Sequence, residues 1–224
     1  MYKIKTDLHI HTNLDPEDGH ISGLLSPKEL IDLARKFEFQ CISITHHDKL
    51  FDDKKINEYA KSLGILLMLG VEKNIEGKHV LLYNFDDYNI NTFTELREKK
   101  AKKNLIIAPH PYYLTKDCLK DELVKNIDCF DAIEFSHFYH RLFNPNKRAI
   151  KIAKENNLPL IGSSDMHYRL QFGVTYSYIE AEDFSTQGII EGIKNKRDIL
   201  VTRSLTLKEF FKILSSELII EMWK

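Results

Sequence analysis

Apolar positions along the chain alternate between two spacings, and the alternation predicts the elements. Lys3, Ile4, Leu8 and Ile10 supply a short buried strand that runs into the stretch Lys5-Thr6-Asp7-Leu8-His9-Ile10-His11-Thr12. Asn13–Leu25, rich in Asp, Gly and Ser, reads as a loop. Ser26, Pro27 and Glu29 then form a helix start with a capping box, and Leu30, Ile31, Leu33, Ala34 and Phe37 give that helix its apolar face. Cys41–Thr45 is the next strand, Lys54–Leu63 a helix closed by Gly64, and Ile65–Val71 an apolar strand running into Glu72. Gly77 marks a hairpin that returns through His79–Tyr83. Helices over Phe93–Lys103, Cys118–Asn126 and Asn146–Asn156 separate strands over Leu105–Ala108, Ala132–Phe135 and Pro159–Ile161. A strand at Tyr176–Ile179, a helix at Gly188–Lys196, an extended Ile199–Val201 and a closing amphipathic helix at Leu207–Trp223 complete the pattern. Strand and helix alternating in this way predict a mostly parallel sheet with crossover helices. No repeat, linker or low-complexity tract divides the chain, so residues 1–224 read as a single domain.

Composition narrows the class. An apolar fraction of 43% and a charged fraction of 29% belong to a globular protein, and a formal net charge of -1 gives no bulk field to attract nucleic acid or an anionic membrane. Cys41, Cys118 and Cys129 form no Cys-x-x-Cys pair, which fits a reducing, cytoplasmic setting. Charge interrupts the first residues before any apolar core, so no signal peptide is expected, and the longest apolar runs are too short to span a bilayer.

The chemistry lies in where the histidines and acids fall. His9 and His11 are two residues apart on a strand, so both rings point to one face. Neutral imidazole is a good ligand for zinc, manganese or iron. His47, Glu72, His110, His137, Asp165 and His167 each follow or end a predicted strand. Each alone reads equally well as a buried, hydrogen-bonded polar group. Together they occupy the face where parallel α/β barrels gather functional side chains, and a carboxylate such as Glu72 can bridge two ions.

Six ordered motifs, spanning Asp7 to His167, resemble the PHP superfamily, named for polymerase and histidinol phosphatase. They are Asp7-Leu8-His9-Ile10-His11-Thr12, Thr45-His46-His47-Asp48, Gly70-Val71-Glu72, Ala108-Pro109-His110-Pro111, Ile133-Glu134-Phe135-Ser136-His137 and Gly162-Ser163-Ser164-Asp165-Met166-His167. The resemblance implies a distorted (β/α)7 barrel of TIM-barrel type, with a site for two to three divalent ions of manganese, iron or zinc at the C-terminal strand ends. One ion would take His9, His11, Glu72 and Asp165. A second would share Glu72 and add His110 and His137. A third would use His47, His167 and a ligand from the loop after the first strand. Asp18 is the first choice for that ligand, with Asp15 and His20 as alternatives. His46 stands where the family usually has Asp, and it would either orient a neighbour or compete with His47.

The resemblance also implies a hydrolase, a metal-dependent phosphoesterase whose nucleophile is hydroxide on the metal. Glu72, Asp165 and His167 are the residues expected to matter most for turnover. Arg141, Arg169 and His79 lie near the predicted ligands and are candidates to contact substrate. The substrate expected is a small phosphomonoester, a metabolite or nucleotide, with no membrane partner and long nucleic acid disfavoured by the charge. A nuclease acting on nucleic-acid ends and a non-catalytic metal-stabilised module are the competing readings.

Overall fold

The computed structural model describes residues 1–21 and 23–221, apart from the side chains of 214 and 216–221. β1 (Tyr2–Ile10) is followed by a loop and then α1 (Pro27–Lys36), where Ser26 Oγ accepts from Glu29 N and the Glu29 carboxylate accepts from Ser26 N. The buried face of α1 is Leu30, Ile31, Leu33 and Ala34, as the spacing requires. β2 (Cys41–Ile44) leads to α2 (Lys54–Ser62), whose first turn is capped by the Asp53 carboxylate.

The apolar run expected as one strand over Ile65–Val71 divides into β3 (Leu66–Leu67) and β4 (Gly70–Ile75). The break lets the chain change sheets. Gly70 makes the turn into β4 feasible, because a Cβ there would sit 2.5 Å from the Tyr83 ring and 2.8 Å from Ser43 Oγ. β4 returns through Glu76 (φ 52°) and Gly77 (φ 76°) into β5 (Lys78–Tyr83), a two-residue hairpin with both loop residues left-handed.

α3 (Phe93–Lys99) stops short of the expected Lys103 because Lys100 is extended. β6 (Leu105–Ala108), α4 (Asp121–Lys125), β7 (Ala132–Ser136), α5 (Asn146–Glu155) and β8 (Leu160–Ser163) continue the alternation. β9 (Thr175–Ala181), α6 (Thr186–Lys194), β10 (Asp198–Thr202) and α7 (Leu207–Glu221) close the order. The last residues of the helix expected to reach Trp223 lie outside the described residues. Among the described residues no helix is long and apolar enough to cross a membrane.

The closed (β/α)7 barrel expected from the resemblance is not formed. The described strands make two mixed five-stranded sheets, in the orders β10-β9-β1-β2-β3 and β4-β5-β6-β7-β8, with seven α-helices. The cause lies at two seams. β9 pairs antiparallel with β1 along Tyr2–Thr6 and so takes the edge that β8 would need for closure. On the other side β3 has only two residues and pairs with β2 alone.

Single contacts replace ladders at both seams. Ile10 bridges to Met166, with His11 N donating to Met166 O at 3.2 Å, and Ser164 N donates to Asp7 Oδ1 at 3.0 Å. His47 bridges to Glu72, with Asp48 N donating to Glu72 O at 2.9 Å. The two seams therefore carry His11, Asp165, His167, His47 and Glu72 to the lines where the sheets meet.

Tyr83 ties the sheets across their shared core. Its ring is fully buried in a cluster that takes Ile4 and Leu8 from one sheet and Leu81, Leu105 and Ile107 from the other. The β1–β2 register is irregular between Asp7 and Ile10, and the Leu8 carbonyl in that stretch accepts from Tyr83 Oη at 2.5 Å. Tyr83→Phe keeps the packing and leaves a buried carbonyl without its donor. It is expected to cost about 1–3 kcal/mol, read from the midpoint of urea denaturation at constant slope. An unchanged midpoint would mean that this bond does not join the sheets.

Candidate metal centre

Glu72 occupies the middle of the cluster, third residue of β4 and 1% exposed. Its two oxygens face different histidines. Oε2 lies 3.2 Å from His9 Nε2, 3.3 Å from His11 Nε2 and 3.2 Å from His47 Nε2. Oε1 lies 3.1 Å from His110 Nε2 and 3.0 Å from His79 Nδ1. A carboxylate divided in this way between two sets of nitrogen donors has the form of a bridge. Asp165 Oδ1 adds a second acid, 3.4 Å from His9 Nε2 and 3.5 Å from His11 Nε2.

Two further carboxylates hold the rings from behind. Asp15 accepts from His11 Nδ1 at 2.8 Å and from His47 Nδ1 and His47 N at 3.1 and 3.0 Å. Glu134 accepts from His9 Nδ1 at 3.2 Å and from His110 N at 2.8 Å. With Nδ1 held by these acids, Nε2 of His9, His11 and His47 is the nitrogen on the side of Glu72 and would be the ligating atom once a metal displaced any proton there. A ligating histidine is oriented in this way by the partner on its other nitrogen. Glu134 has a signal in the sequence, a lone acid in an otherwise apolar strand, but its role needs the neighbouring strand to be seen. His110 is oriented by a thiol instead, with Cys118 Sγ 3.5 Å from its Nδ1.

The other expected residues fall as follows. Asp18 Oδ2 lies 2.9 Å from His167 Nε2 and 3.7 Å from His47 Nδ1, so it sits between those rings, while His20 is exposed. His47 faces the cluster. His46 is buried behind it, its Nε2 2.7 Å from Thr12 Oγ1, and burial pushes it down to about 4. His137 is buried beside the cluster, but Nε2 meets Gln171 Nε2 at 2.9 Å and it joins none of the metal-capable groups. Arg169 lines a groove with Glu29, Asp32 and Lys36 on the outer side of α1, and Arg141 is exposed. Gln171 was not singled out by sequence reasoning, and nothing in its local sequence marks it.

The backbone is turned sharply where ligands leave their strands. His110 (φ 24°) and Asp165 (φ 45°) are both left-handed without being glycine. Each such residue costs about 1–3 kcal/mol and persists only where its surroundings enforce it.

Charge and donor chemistry fit a metal site. Burial opposes ionisation of Glu72 and Asp165, yet the surrounding histidines hold both well below the usual carboxylate range. Asp15 and Asp18 are likewise held low, against burial, by His11 and His47 and by His167. Burial would lower His9, but Glu72, Asp165 and Glu134 raise it to about 10. Four carboxylates kept ionised, three of them buried, demand positive charge among them. His9 Nε2 and His11 Nε2 are only 3.2 Å apart, a distance at which two lone pairs repel unless a proton or cation lies between. Among the described residues, five overlapping groups of three or four donors have ligand atoms within 4.8 Å of one another, and His9, His11, His47, Glu72 and Asp165 each belong to more than one. Shared ligands are what adjacent ions require.

A model of the PHP domain matches residues 7–132, and a model described as PHP-associated matches residues 143–197. The first covers more than half of the chain, and the chain belongs to the PHP domain family. A curated relative, an uncharacterized protein of Methanocaldococcus jannaschii, is 27% identical over 161 residues, 68% of this chain and 93% of its own length.

Among solved structures, a two-domain Bacteroides vulgatus protein described as containing a predicted PHP-like metal-dependent phosphoesterase aligns with a TM-score of 0.68 at 24% identity. That alignment covers 94% of this chain and 70% of the other. PsfC of Pseudomonas syringae aligns at 0.66 and 16% identity over 100% of both chains. An amidohydrolase from Chromobacterium violaceum aligns at 0.55 and 15% identity, over 87% of this chain and 97% of its own. At these identities the likeness is one of fold.

Proposed function

We propose that this chain is a metal-dependent phosphoesterase that hydrolyses a small phosphomonoester. The observation that carries the reading is Glu72, with one oxygen toward His9, His11 and His47 and the other toward His110 and His79. In this reading His9, His11, Glu72 and Asp165 hold one ion, and Glu72 with His110 begins a second. Asp18 and His167 would begin a third, which His47 could join only through Nδ1, the nitrogen now held by Asp15. The mixed nitrogen and carboxylate donors suit manganese, iron or zinc. Bound ions would supply Lewis acidity, lowering the pKa of water and neutralising phosphoryl oxygens.

The protein supplies geometry. Asp15 and Glu134 fix which ring nitrogen faces inward, and buried β strands hold the ligands in place. Access lies on the side of Asp165, His167 and His79, whose side chains are 20%, 18% and 13% exposed while His9 and His11 are fully buried. The description of the Bacteroides vulgatus neighbour supports phosphoester chemistry.

Surface charge supports a small substrate. Of Lys99, Lys100, Lys102 and Lys103, the run that would line a groove for a polyanion, three pair with acids: Lys99 with Asp87, Lys100 with Asp131 and Lys103 with Asp86. Arg148 pairs with Asp121 and stacks on Tyr112. The test is a panel of phosphomonoesters, single-stranded oligonucleotides and simple amides, offered to metal-reconstituted protein across a salt series. At least one phosphomonoester is expected to be turned over with shallow salt dependence. Preference for oligonucleotides, lost steeply as salt rises, would contradict the small-substrate reading, because a polyanion releases many counterions. Hydrolysis of amides alone would contradict phosphoester chemistry.

A further inference from the structure

Three large clusters form the core of the sheets, and a fourth, smaller one lies among the loops that carry histidines. Phe138, Val174, Leu205 and Ile213 are its buried members, with Tyr113, Leu170 and Phe210 packed against them. Phe138 follows His137, Tyr113 lies three residues after His110, and Leu170 and Val174 come from the loop after His167. Leu205 precedes α7, and Phe210 and Ile213 belong to it. Three loops that follow candidate ligands therefore share one apolar core with the C-terminal helix. Among the described residues, neither β1, which carries His9, nor β4, which carries Glu72, contributes to that core.

Phe210 closes this cluster. Its ring stacks on Phe138 with centroids 4.6 Å apart and planes at 28°, and Tyr113 meets the Phe138 ring edge-on at 5.0 Å. Tyr113 N donates to His110 O at 3.0 Å, so the residue that touches Phe138 is tied to the backbone of His110. Backbone bonds hold the segment in register: Leu205 N donates to Tyr139 O at 2.9 Å and Arg203 N to Val174 O at 3.3 Å. The start of α7 is fixed by a capping box between Thr206 and Glu209, whose carboxylate also accepts from both terminal nitrogens of Arg203 at 2.9 Å. α7 lies beyond the residues that either family model matches, so this packing is a feature of the chain outside the matched domain.

We propose that Phe210 is a positioning residue for the metal centre: docked on Phe138, it clamps the loops after His110, His137 and His167, so that metal loading and docking of α7 favour each other. The inference rests on the metal-centre reading of the site and is independent of the substrate. His110 is left-handed (φ 24°), a conformation that persists only where the surroundings enforce it, and the clamp is part of those surroundings. By linkage, metal stabilises the docked helix by the same factor as the docked helix strengthens metal binding. An ion on His9, His11 and Glu72 is the least affected, because those ligands belong to β1 with the residue just after it, and to β4.

The test uses the full chain, with amide hydrogen exchange followed with and without zinc and zinc affinity measured by competition with a chelator. Exchange of the Phe210–Ile213 amides in the unaltered protein is expected to slow by about 10-fold on loading. Phe210→Ala is expected to weaken the last zinc equivalent to fill by about 10-fold and to leave the first unchanged. Phe210→Tyr, which keeps the ring stack, should restore the affinity. Ile193→Ala, which opens a cavity under α6 in a different cluster, should leave every zinc affinity as it was. Circular dichroism sets the temperature at which all variants are folded.

Exchange of the α7 amides that is the same with and without zinc would overturn the proposal, and this measurement decides it even if the variants do not fold. Equal zinc affinities for Phe210→Ala and the unaltered protein would overturn it too. So would a loss in Ile193→Ala as large as that in Phe210→Ala, because any weakened core would then have the same effect. Failure of the unaltered protein to bind zinc at all would defeat the metal-centre reading, and the clamp with it. Hydrolysis of no phosphoester, with the zinc-dependent slowing of α7 intact, would strike the phosphoesterase reading and leave the clamp standing.

Discussion

Glu72→Ala is expected to release more than one metal ion per chain and to abolish phosphoester turnover while leaving the fold in place. Five histidines lie within 3.3 Å of this one carboxylate, three on one oxygen and two on the other. Removing it takes a ligand from each set at once. It also takes away an anion that compensates the charge of whatever cations bind there, in a setting where His9 and His11 are buried. The loss should exceed the roughly 10–100-fold drop in affinity or activity that follows removal of a group orienting a ligand from behind. Elemental analysis after dialysis, with circular dichroism as the control for folding, reads both quantities. Full metal content in the variant would show that Glu72 is not a bridge.

Glu134→Gln should weaken metal binding by about 10–100-fold without changing a single atom that would touch the metal. Glu134 has no exposure and accepts from both His9 Nδ1 and His110 N. The carboxamide can still accept from His110 N through its oxygen. That oxygen also lies 3.2 Å from His9 Nδ1, but the NH2 takes the place of Oε1, the second acceptor at 3.2 Å, and sets a donor against the Nδ1–H. The ligand is thus weakened by a poorer hold on the tautomer that frees Nε2. Zinc affinity measured by competition with a chelator checks this, and Glu134→Asp, which remains an acceptor, should lose less. Equal affinities for Glu134→Gln and the unaltered protein would mean that His9 is oriented by something else.

The seams explain how much of this was legible in the sequence. The alternation of strand and helix, the capping box at Ser26 and the hairpin at Gly77 are local signals, and local physics decides them. The clustering of His9, His11, His47, His110, Asp165 and His167 at or near strand ends is likewise a matter of position along the chain, whereas Glu72, expected at a strand end, lies inside β4. Barrel closure is different, because it depends on which strand claims the free edge of β1. Nothing in Thr175–Ala181 announces that it will pair there antiparallel. The division of Ile65–Val71 into two strands is hidden for the same reason, since a buried apolar run does not say which sheet it serves.

Residues that act through another side chain were the hardest to read. Asp15 and Asp18 are equivalent loop acids in sequence. Only the fold puts Asp15 behind His11 and His47, and Asp18 between His47 and His167. Gln171 and Cys118 acquire meaning only from the imidazoles they touch. Arg169 shows the converse. Two residues from His167 in sequence, it lines a groove with Glu29, Asp32 and Lys36 of α1 instead.

The central claim is that these seams hold a multinuclear metal site that performs hydrolysis. The most direct measurement is elemental analysis of anaerobically purified protein, with phosphomonoester turnover followed as metal is stripped and restored. Two to three equivalents of manganese, iron or zinc per chain are expected, with turnover rising as the equivalents are refilled. Folded protein that turns over the same substrate at full rate with no metal bound would contradict the account.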